Sequence, residues 1–445
     1  MNRSLYLVAG LGKTGLSIAR YLHRKGKLFS VFDTRTDAPG LAEFKLEFPD
    51  SAVYLQDFPM HLINELSDIV TSPGLSLDTP FIQQAIKAGV AVYGDIECLA
   101  REISAPVVAI TGTNGKSTVT TLVGEMAQAA GLKVAVAGNI GTPVLDRLQE
   151  EGQVDLWVLE LSSFQLDLTF SLKPTVATIL NVSPDHLDRH HTLAAYVRAK
   201  QRVYHQAQLA LFNREDVYTK PNPEYSLASI SFGQDEPNVG DWGLLKKAGI
   251  VYLAKGKECV LAVDSILIKG VHNWLNALAA CALAENVGIP LDAIIAVLKS
   301  FSGLPHRCQW VRSLDEVEWI NDSKGTNVGA TISAINGIGG SMQGRIVLIA
   351  GGQGKGADFN ELSQPIADYV RSIVLIGEDA DKMEAALANV VPISRASSLD
   401  NAVAMAKKQA KPGDVVLLSP ACASLDMFRD FNHRGDVFAA SVKGL

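Results

Sequence analysis

The sequence predicts an α/β chain of three domains, and three observations predict it. Its 445 residues exceed what one hydrophobic core organises. Short apolar runs ending in glycine or polar residues alternate with amphipathic stretches along the whole chain, the rhythm of mostly parallel sheets covered by helices. Two glycine loops, GLGKTG and GTNGKST, stand where an apolar run gives way to a helical pattern. In order, the domains are expected at 1–94, 95–302 and 303–445.

The first domain opens with LYLVAGLGKTGL, in which Gly10, Gly12 and Gly15 are spaced G-x-G-x-x-G. That is the dinucleotide fingerprint: one glycine makes the turn, one admits a pyrophosphate to the backbone, and one lets the helix pack on the strand. The helical stretch TGLSIARYLHRKG stops at Gly26, and LFSVFDT reads as a second strand ending at the acidic Asp33. A small Rossmann-like unit follows, and taken alone it describes an NAD-dependent oxidoreductase.

DIECLAREISAP reads as a helix and connector, after which Pro106 opens the strand VVAIT. KVAVAGN, DLWVLELS and TVATILNVS repeat the pattern, so the middle domain is a P-loop ATPase-type parallel sheet, with small antiparallel strands expected around residues 213–265. After the helix HNWLNALAACALAENVG, SFSGLPHR carries Gly303 and Pro305 and reads as a linker. VEWIND, RIVLIAGG, SIVLIG and DVVLLSP then make the last domain a second Rossmann-like α/β unit.

Composition excludes several classes. Hydrophobic residues at 47% and charged residues at 20% are those of an ordinary globular chain. A net charge of −7 without a long Lys/Arg run excludes a nucleic-acid partner. No stretch reaches the roughly 18 apolar residues of a membrane span. Five scattered cysteines fit a reducing cytoplasm.

The chemistry concentrates in loops that follow strands. GTNGKST, Gly112 to Thr118, can cradle phosphates with its N–H groups and the helix N-terminus; Lys116 neutralises them and the Ser117 hydroxyl suits Mg²⁺. It is shorter than the common phosphate loop, since position 110, where a further glycine belongs, is Ile110. Glu160 ends an apolar strand, where a carboxylate needs a partner or a metal, although a strand-end Glu can also simply face water. In NVSPDHLDRHH, His186 is flanked by acids and reads as functional, whereas His190 and His191 read as solvated loop residues. WINDSKGTN, AGGQGKGAD and SPACASLDMF are three small-residue loops in one domain, which points to a shared binding edge.

Together GTNGKST, ELSSFQL, NVSPDHLDRH, YVRAKQRVY, GVHNWLNALAA, GLPHRCQ, NDSKGTN and SPACASLD resemble the Mur ligase family from end to end. The resemblance implies that ATP activates a substrate carboxylate as an acyl phosphate, which an incoming amine converts to an amide. It implies D-glutamate and UDP-N-acetylmuramoyl-L-alanine as small-molecule substrates, a monomeric cytoplasmic enzyme, and two Mg²⁺ sites. Gly112, Thr113, Asn114, Gly115, Lys116, Ser117, Thr118, Asn276, Arg307, Asp322 and Lys324 would meet ATP, with Asp322 on the ribose. Ser117 and Glu160 would hold one Mg²⁺, His186 and Lys200 the other. Composition alone makes Lys200 a solvated helix residue; the resemblance makes it a carbamylated ligand. With Lys116, His186 and Lys200, Asn139 is implied for the reacting centre.

By the same resemblance the UDP-linked substrate would lie on Gly12, Lys13, Thr14, Asp33, Thr34, Arg35, Ser72, Gly74, Asn139, Ser162 and Gln165. D-Glutamate would meet Thr326, Lys355, Ser424, Leu425 and Phe431. The last domain is expected to close during turnover. A Mur-type ligase with a different amino-acid acceptor and the NAD-dependent oxidoreductase remain the alternatives.

Overall fold

In the computed structural model, residues 4–183, 185–268, 270–340, 342–354 and 356–445 are described. Lys355, expected to bind an amino acid, lies outside them. Three sheets carry the chain. The first is built from β1 (Leu5–Ala9), β2 (Leu28–Asp33), β3 (Val53–Leu55), β4 (Leu66–Thr71) and β5 (Ala91–Tyr93), in the order β3-β2-β1-β4-β5 and parallel throughout. The order reverses beside β1, and ligand crevices in doubly wound sheets open at such a point.

The second sheet has nine strands: β6 (Val107–Thr111), β7 (Val134–Gly138), β8 (Leu156–Glu160), β9 (Val176–Ile179), β10 (Leu209–Asn213), β11 (Ser229–Phe232), β12 (Trp242–Lys247), β13 (Ile250–Lys255) and β14 (Glu258–Ala262). Their order is β14-β13-β12-β11-β10-β9-β6-β8-β7. The expectation of antiparallel strands after residue 213 needs correction at its start. β10 and β11 pair in parallel, as do β11 and β12 where Phe232 meets Trp242. Within this sheet β12, β13 and β14 are joined in turn by two-residue turns, which antiparallel neighbours alone can use.

The third sheet holds β15 (Gln309–Leu314), β16 (Val317–Asn321), β17 (Ile346–Gly351), β18 (Val370–Ile376), β19 (Ile393–Arg395) and β20 (Val415–Leu418), ordered β15-β16-β20-β17-β18-β19. It is parallel except for the edge strand β15.

The chain falls into two compact units. One is 1–245 with 254–259 and 276–297; the other is 246–253, 260–275 and 298–445. Packing within the first unit is continuous across residue 95. The Gly94 N–H donates to the Leu168 carbonyl at 3.0 Å, and Glu97 accepts the Phe170 and Ser171 N–H groups at 2.7 and 2.8 Å. The first and second sheets therefore share one core.

The Gly10–Gly15 turn shows why those residues are glycines. Gly10 has φ of 92°, and a Cβ on Gly15 would stand 1.8 Å from the Gly10 carbonyl oxygen. Gly15→Ala should therefore lower stability by about 3 kcal/mol, read as a fall in denaturant midpoint. An unchanged midpoint would mean that the helix Lys13–Arg24 does not pack this closely on β1.

Candidate active site

The phosphate loop leaves β6 and enters the helix Lys116–Ala129. Gly115 is left-handed, φ 81°, and any Cβ there would meet Asn276 Oδ1 at 2.4 Å, so Asn276 is seated against the loop. Lys116 Nζ donates to the Gly112 and Thr113 carbonyls at 3.0 and 2.9 Å. Ser117 and Thr118 occupy the first helical turn, where unpaired N–H groups favour anions.

Sequence reasoning missed the residue that shapes this loop. Asn181, just past β9, accepts the Asn114 N–H at 2.8 Å and returns a bond from its amide to the Asn114 carbonyl at 3.1 Å. Its own carbonyl accepts the Thr113 N–H at 2.9 Å. The sequence singles out NVSPDH for its acids and histidine; a side-chain amide two residues beyond a strand carries the available signal.

Lys200 also converges here. The helix Leu193–Gln201, capped by Thr192, buries it to 1% exposure and aims Nζ at the Gly112 carbonyl, 2.7 Å away. The composition reading of a solvated lysine is thus overturned by a tertiary contact. Burial, reinforced by the Lys116 charge, pulls its amine down to about 7. Its Nζ lies 4.4 Å from the centre of the Tyr196 ring, whose hydroxyl is 3.3 Å from Thr113 Oγ1.

Glu160 pairs in register with Ile110, directly below the loop, and is 2% exposed. Asn139 Nδ2 donates to Oε1 at 3.0 Å, while Oε2 is buried without a hydrogen-bond partner. The alternative of a solvated strand-end Glu is therefore corrected. A buried, half-satisfied carboxylate is a hard-oxygen donor suited to Mg²⁺. Among the described residues no three His, Cys, Asp or Glu side chains form a metal cluster, so a cation here needs the Ser117 hydroxyl and phosphate oxygens as further donors.

His186 is exposed, 3.6 Å from Asp185, with its ring 5.0 Å edge-on to Phe164 and 6.3 Å from Tyr196. His190 is not solvated as expected. It is buried, with Nε2 2.9 Å from Ser163 Oγ and its ring stacked on Phe164. His191 is exposed, as read from the sequence. Ser162 and Gln165 cap the short helix bearing Phe164 through a reciprocal capping box.

At the first glycine turn, Asp33 is buried, and four hydrogen bonds reach its carboxylate: one from the Leu11 N–H at 2.7 Å, and three from Arg35 N, Nε and Nη2 at 2.9, 2.9 and 2.8 Å. Burial works to raise its pKa, but the Arg35 side chain and the two N–H groups outweigh it and hold the carboxyl below its ordinary value. Asp33 is thus consumed in fixing Leu11 and Arg35, whereas the NAD fingerprint uses that carboxylate on a ribose. Lys13, Thr34, Arg35 and Gly74 are exposed around the turn, with Gly12, Thr14 and Ser72 partly so.

In the other unit, the three small-residue loops do meet. Gln353 and Ala423 exchange backbone hydrogen bonds, and the Ala421 N–H donates to the Gly325 carbonyl at 2.9 Å. Arg434, which sequence reasoning passed over, is 1% exposed and ties two of them. Its Nε and Nη2 reach Ser323 Oγ and O at 3.0 and 2.9 Å, and Nη1 and Nη2 reach the Cys422 carbonyl at 3.2 and 3.1 Å. Burial lowers its pKa to about 10, so it remains a cation beneath the loops. Ser424 is buried and Leu425 is 63% exposed; Lys324 Nζ stands 5.6 Å from the Phe431 ring centre. Thr326 and Arg307 are partly exposed.

Asp322 is buried too, accepting from Ser419 Oγ at 2.7 Å and the Cys308 N–H at 3.1 Å. Burial raises its pKa from 3.8 to about 6, against those hydrogen bonds. The unfolded chain loses this proton first, so ionisation inside the fold costs stability that grows between those two values and is constant above. Asp322→Asn should thus gain on the order of 2 kcal/mol over the parent at pH 8 and nothing below pH 4, measured by urea unfolding. An equal effect at both pH values would contradict the burial argument.

Comparisons with known proteins cover the whole chain. Residues 4–94 match the Mur ligase MurD-like N-terminal domain, 110–284 the Mur ligase middle domain, and 306–422 the Mur ligase glutamate ligase domain. The UDP-N-acetylmuramoylalanine–D-glutamate ligase of Legionella pneumophila (strain Lens) is 72% identical over 100% of both chains. That of Pseudomonas aeruginosa is 49% identical over 99% of this chain and 98% of its own. Among solved structures, a UDP-N-acetylmuramoyl-L-alanyl-D-glutamate–2,6-diaminopimelate ligase shares the fold with a TM-score of 0.60 at 17% identity, covering 98% of this chain and 92% of its own. MurF ligase from Thermotoga maritima, in complex with ADP, does so with a TM-score of 0.55 at 16% identity, covering 99% and 95%. Among the described residues no helix is long and apolar enough to cross a membrane.

Proposed function

The chain belongs to the Mur ligase family, and from that premise we propose that it joins D-glutamate to UDP-N-acetylmuramoyl-L-alanine, using ATP, in the synthesis of peptidoglycan precursors. The carboxylate of the alanyl group attacks the γ-phosphorus, ADP leaves, and an acyl phosphate forms. The amine of D-glutamate then attacks the acyl carbon, phosphate departs with the electron pair, and the amine loses a proton as the amide forms. Both steps depend on alignment and charge neutralisation more than on bond-making by the protein.

The observation that carries the reading is the environment of Gly112: two lysine amines meet its carbonyl, with a half-satisfied carboxylate below the same strand end. Lys116 and the loop N–H groups hold the triphosphate, with Asn276 seated beside them. Ser117 and Glu160 would be the donors for one Mg²⁺, and His186 with a carbamylated Lys200 for a second; a cation bound there would neutralise charge on the transferring phosphoryl group. Burial pulls the Lys200 amine down to about 7, so near neutral pH a substantial share is unprotonated and has the free electron pair that reaction with CO₂ requires.

The first glycine turn, with Arg35 presented outward, takes the diphosphate and uridine. The Ser424 loop over the Arg434 cation takes the dianionic amino acid. The enzyme acts as a cytoplasmic monomer. The test is ADP release with ATP and Mg²⁺, adding UDP-N-acetylmuramoyl-L-alanine and D-glutamate singly and together. Release requiring both is expected; release indifferent to either, or supported equally by another amino acid, overturns the assignment.

A further inference from the structure

Arg189 has no part in the scheme above, yet it joins two of its sites. It lies at the end of the segment that carries His186, and its guanidinium spans two successive carbonyls of another loop: Nη1 to Gly74 O at 3.2 Å and Nη2 to Leu75 O at 2.7 Å. That loop follows β4, and Ser72 and Gly74 border the pocket assigned to the UDP-linked substrate. Nearby, His191 Nε2 stands 3.9 Å from Asp78 Oδ2, a second approach between the same two segments. The guanidinium carbon lies 4.9 Å from the centre of the Phe164 ring. On that ring rest His186, edge-on at 5.0 Å, and His190, stacked at 5.3 Å.

We propose that Arg189 is a positioning residue that couples the UDP-substrate pocket to the seat of His186. The role rests on the functional reading above, because that reading gives each bank its task. A planar fork matches two adjacent carbonyls, whereas an ammonium offers a single point of charge and cannot hold both in one orientation. Its face meanwhile attracts the Phe164 ring. When a ligand settles the 72–77 loop, it settles Arg189, and through Phe164 it fixes the imidazole of His186. Burial of substrate on one sheet is thereby registered at the phosphoryl-transfer loop of the next.

The experiment compares Arg189→Ala, Arg189→Lys and Phe164→Leu in the full chain, reading UDP binding by calorimetry, steady-state ligation and thermal midpoint. Arg189→Ala should weaken UDP binding and raise KM for the UDP-linked substrate about tenfold, as loss of a charged hydrogen-bonding group does, and lower kcat severalfold with KM for ATP within about twofold. Arg189→Lys should fall between the parent and Ala in KM. In the Phe164→Leu background the further Ala substitution should no longer lower kcat, because the link is already cut. A raised KM with kcat unchanged, an equal rise in KM for ATP, or fully additive effects on kcat would overturn the coupling. If the parent chain binds UDP but ligates no D-glutamate, the functional reading falls, and the UDP-binding arm still tests the contact of Arg189 with the pocket loop.

Discussion

Glu160→Gln should lower kcat by about a thousandfold while leaving the fold at least as stable as the parent. The two halves follow from one atom. Oε2 is buried with no hydrogen-bond partner, so in the free protein it bears the cost of desolvation with nothing to offset it. An amide removes the charge and preserves the shape, and its carbonyl still accepts from Asn139, now 3.0 Å from Oε1. Free-protein stability should therefore hold or rise by about 1 kcal/mol. On the function proposed above, catalysis needs the anion, because this carboxylate would help to hold a cation that balances charge on the transferring phosphoryl group. Thermal unfolding and single-turnover ADP formation, run on the same preparation, decide the matter. A variant that is both active and unchanged in stability would place Glu160 outside the site; a large loss of stability would make it structural.

Lys200→Ala should be almost as damaging, with kcat down about a thousandfold, and it should be open to chemical repair. Truncation leaves a space against the Gly112 carbonyl and the Tyr196 ring, where the side chain is now enclosed. If the working form is a carbamate, the missing function is a two-oxygen anion, and short-chain carboxylic acids should restore a measurable fraction of activity in a saturable manner. If the working form is the cation, short alkylamines should restore it instead. Rescue by amines alone would overturn the carbamate. Gly15 and Asp322 supply smaller effects read by stability, and Arg189 smaller ones read by UDP binding, KM and kcat.

Much of this was legible beforehand for identifiable reasons. The parallel strands β1, β2, β6, β8 and β17 are largely buried, so their sequences are nearly unbroken apolar runs that end in, or run directly into, glycine or a carboxylate. Strands β3 and β19 are three residues long and β15 is a half-exposed edge; too few alternations exist there for a period to show. The parallel entry of β11 was hidden because strand direction is set by the connection, not by the run itself.

The site divides the same way. Lys116 and Ser117 belong to a contiguous motif, and Glu160 stands out as the charged end of an apolar strand. Asn181, Tyr196, Arg189 and Arg434 are ordinary residues whose partners lie far off in sequence: Thr113 and Asn114 for Asn181, Gly74 for Arg189, Ser323 for Arg434. Nothing local marks such a residue, because its meaning is a distance in space. His190 was misread for the opposite reason: a histidine among polar neighbours looks wet until Ser163 and Phe164 cover it.

The clasp of Asn181 on Asn114 has a consequence for anyone wishing to move this chemistry elsewhere. The seven residues GTNGKST are not a portable cassette. Their curvature is imposed by an amide that arrives just past another strand, 67 positions later, and by an asparagine across Gly115 that arrives later still. Transplanted alone into a foreign strand–helix turn, the heptapeptide would keep its flexible glycines and lose its mould. A graft that also imports the Asn181 segment would carry the shape with it.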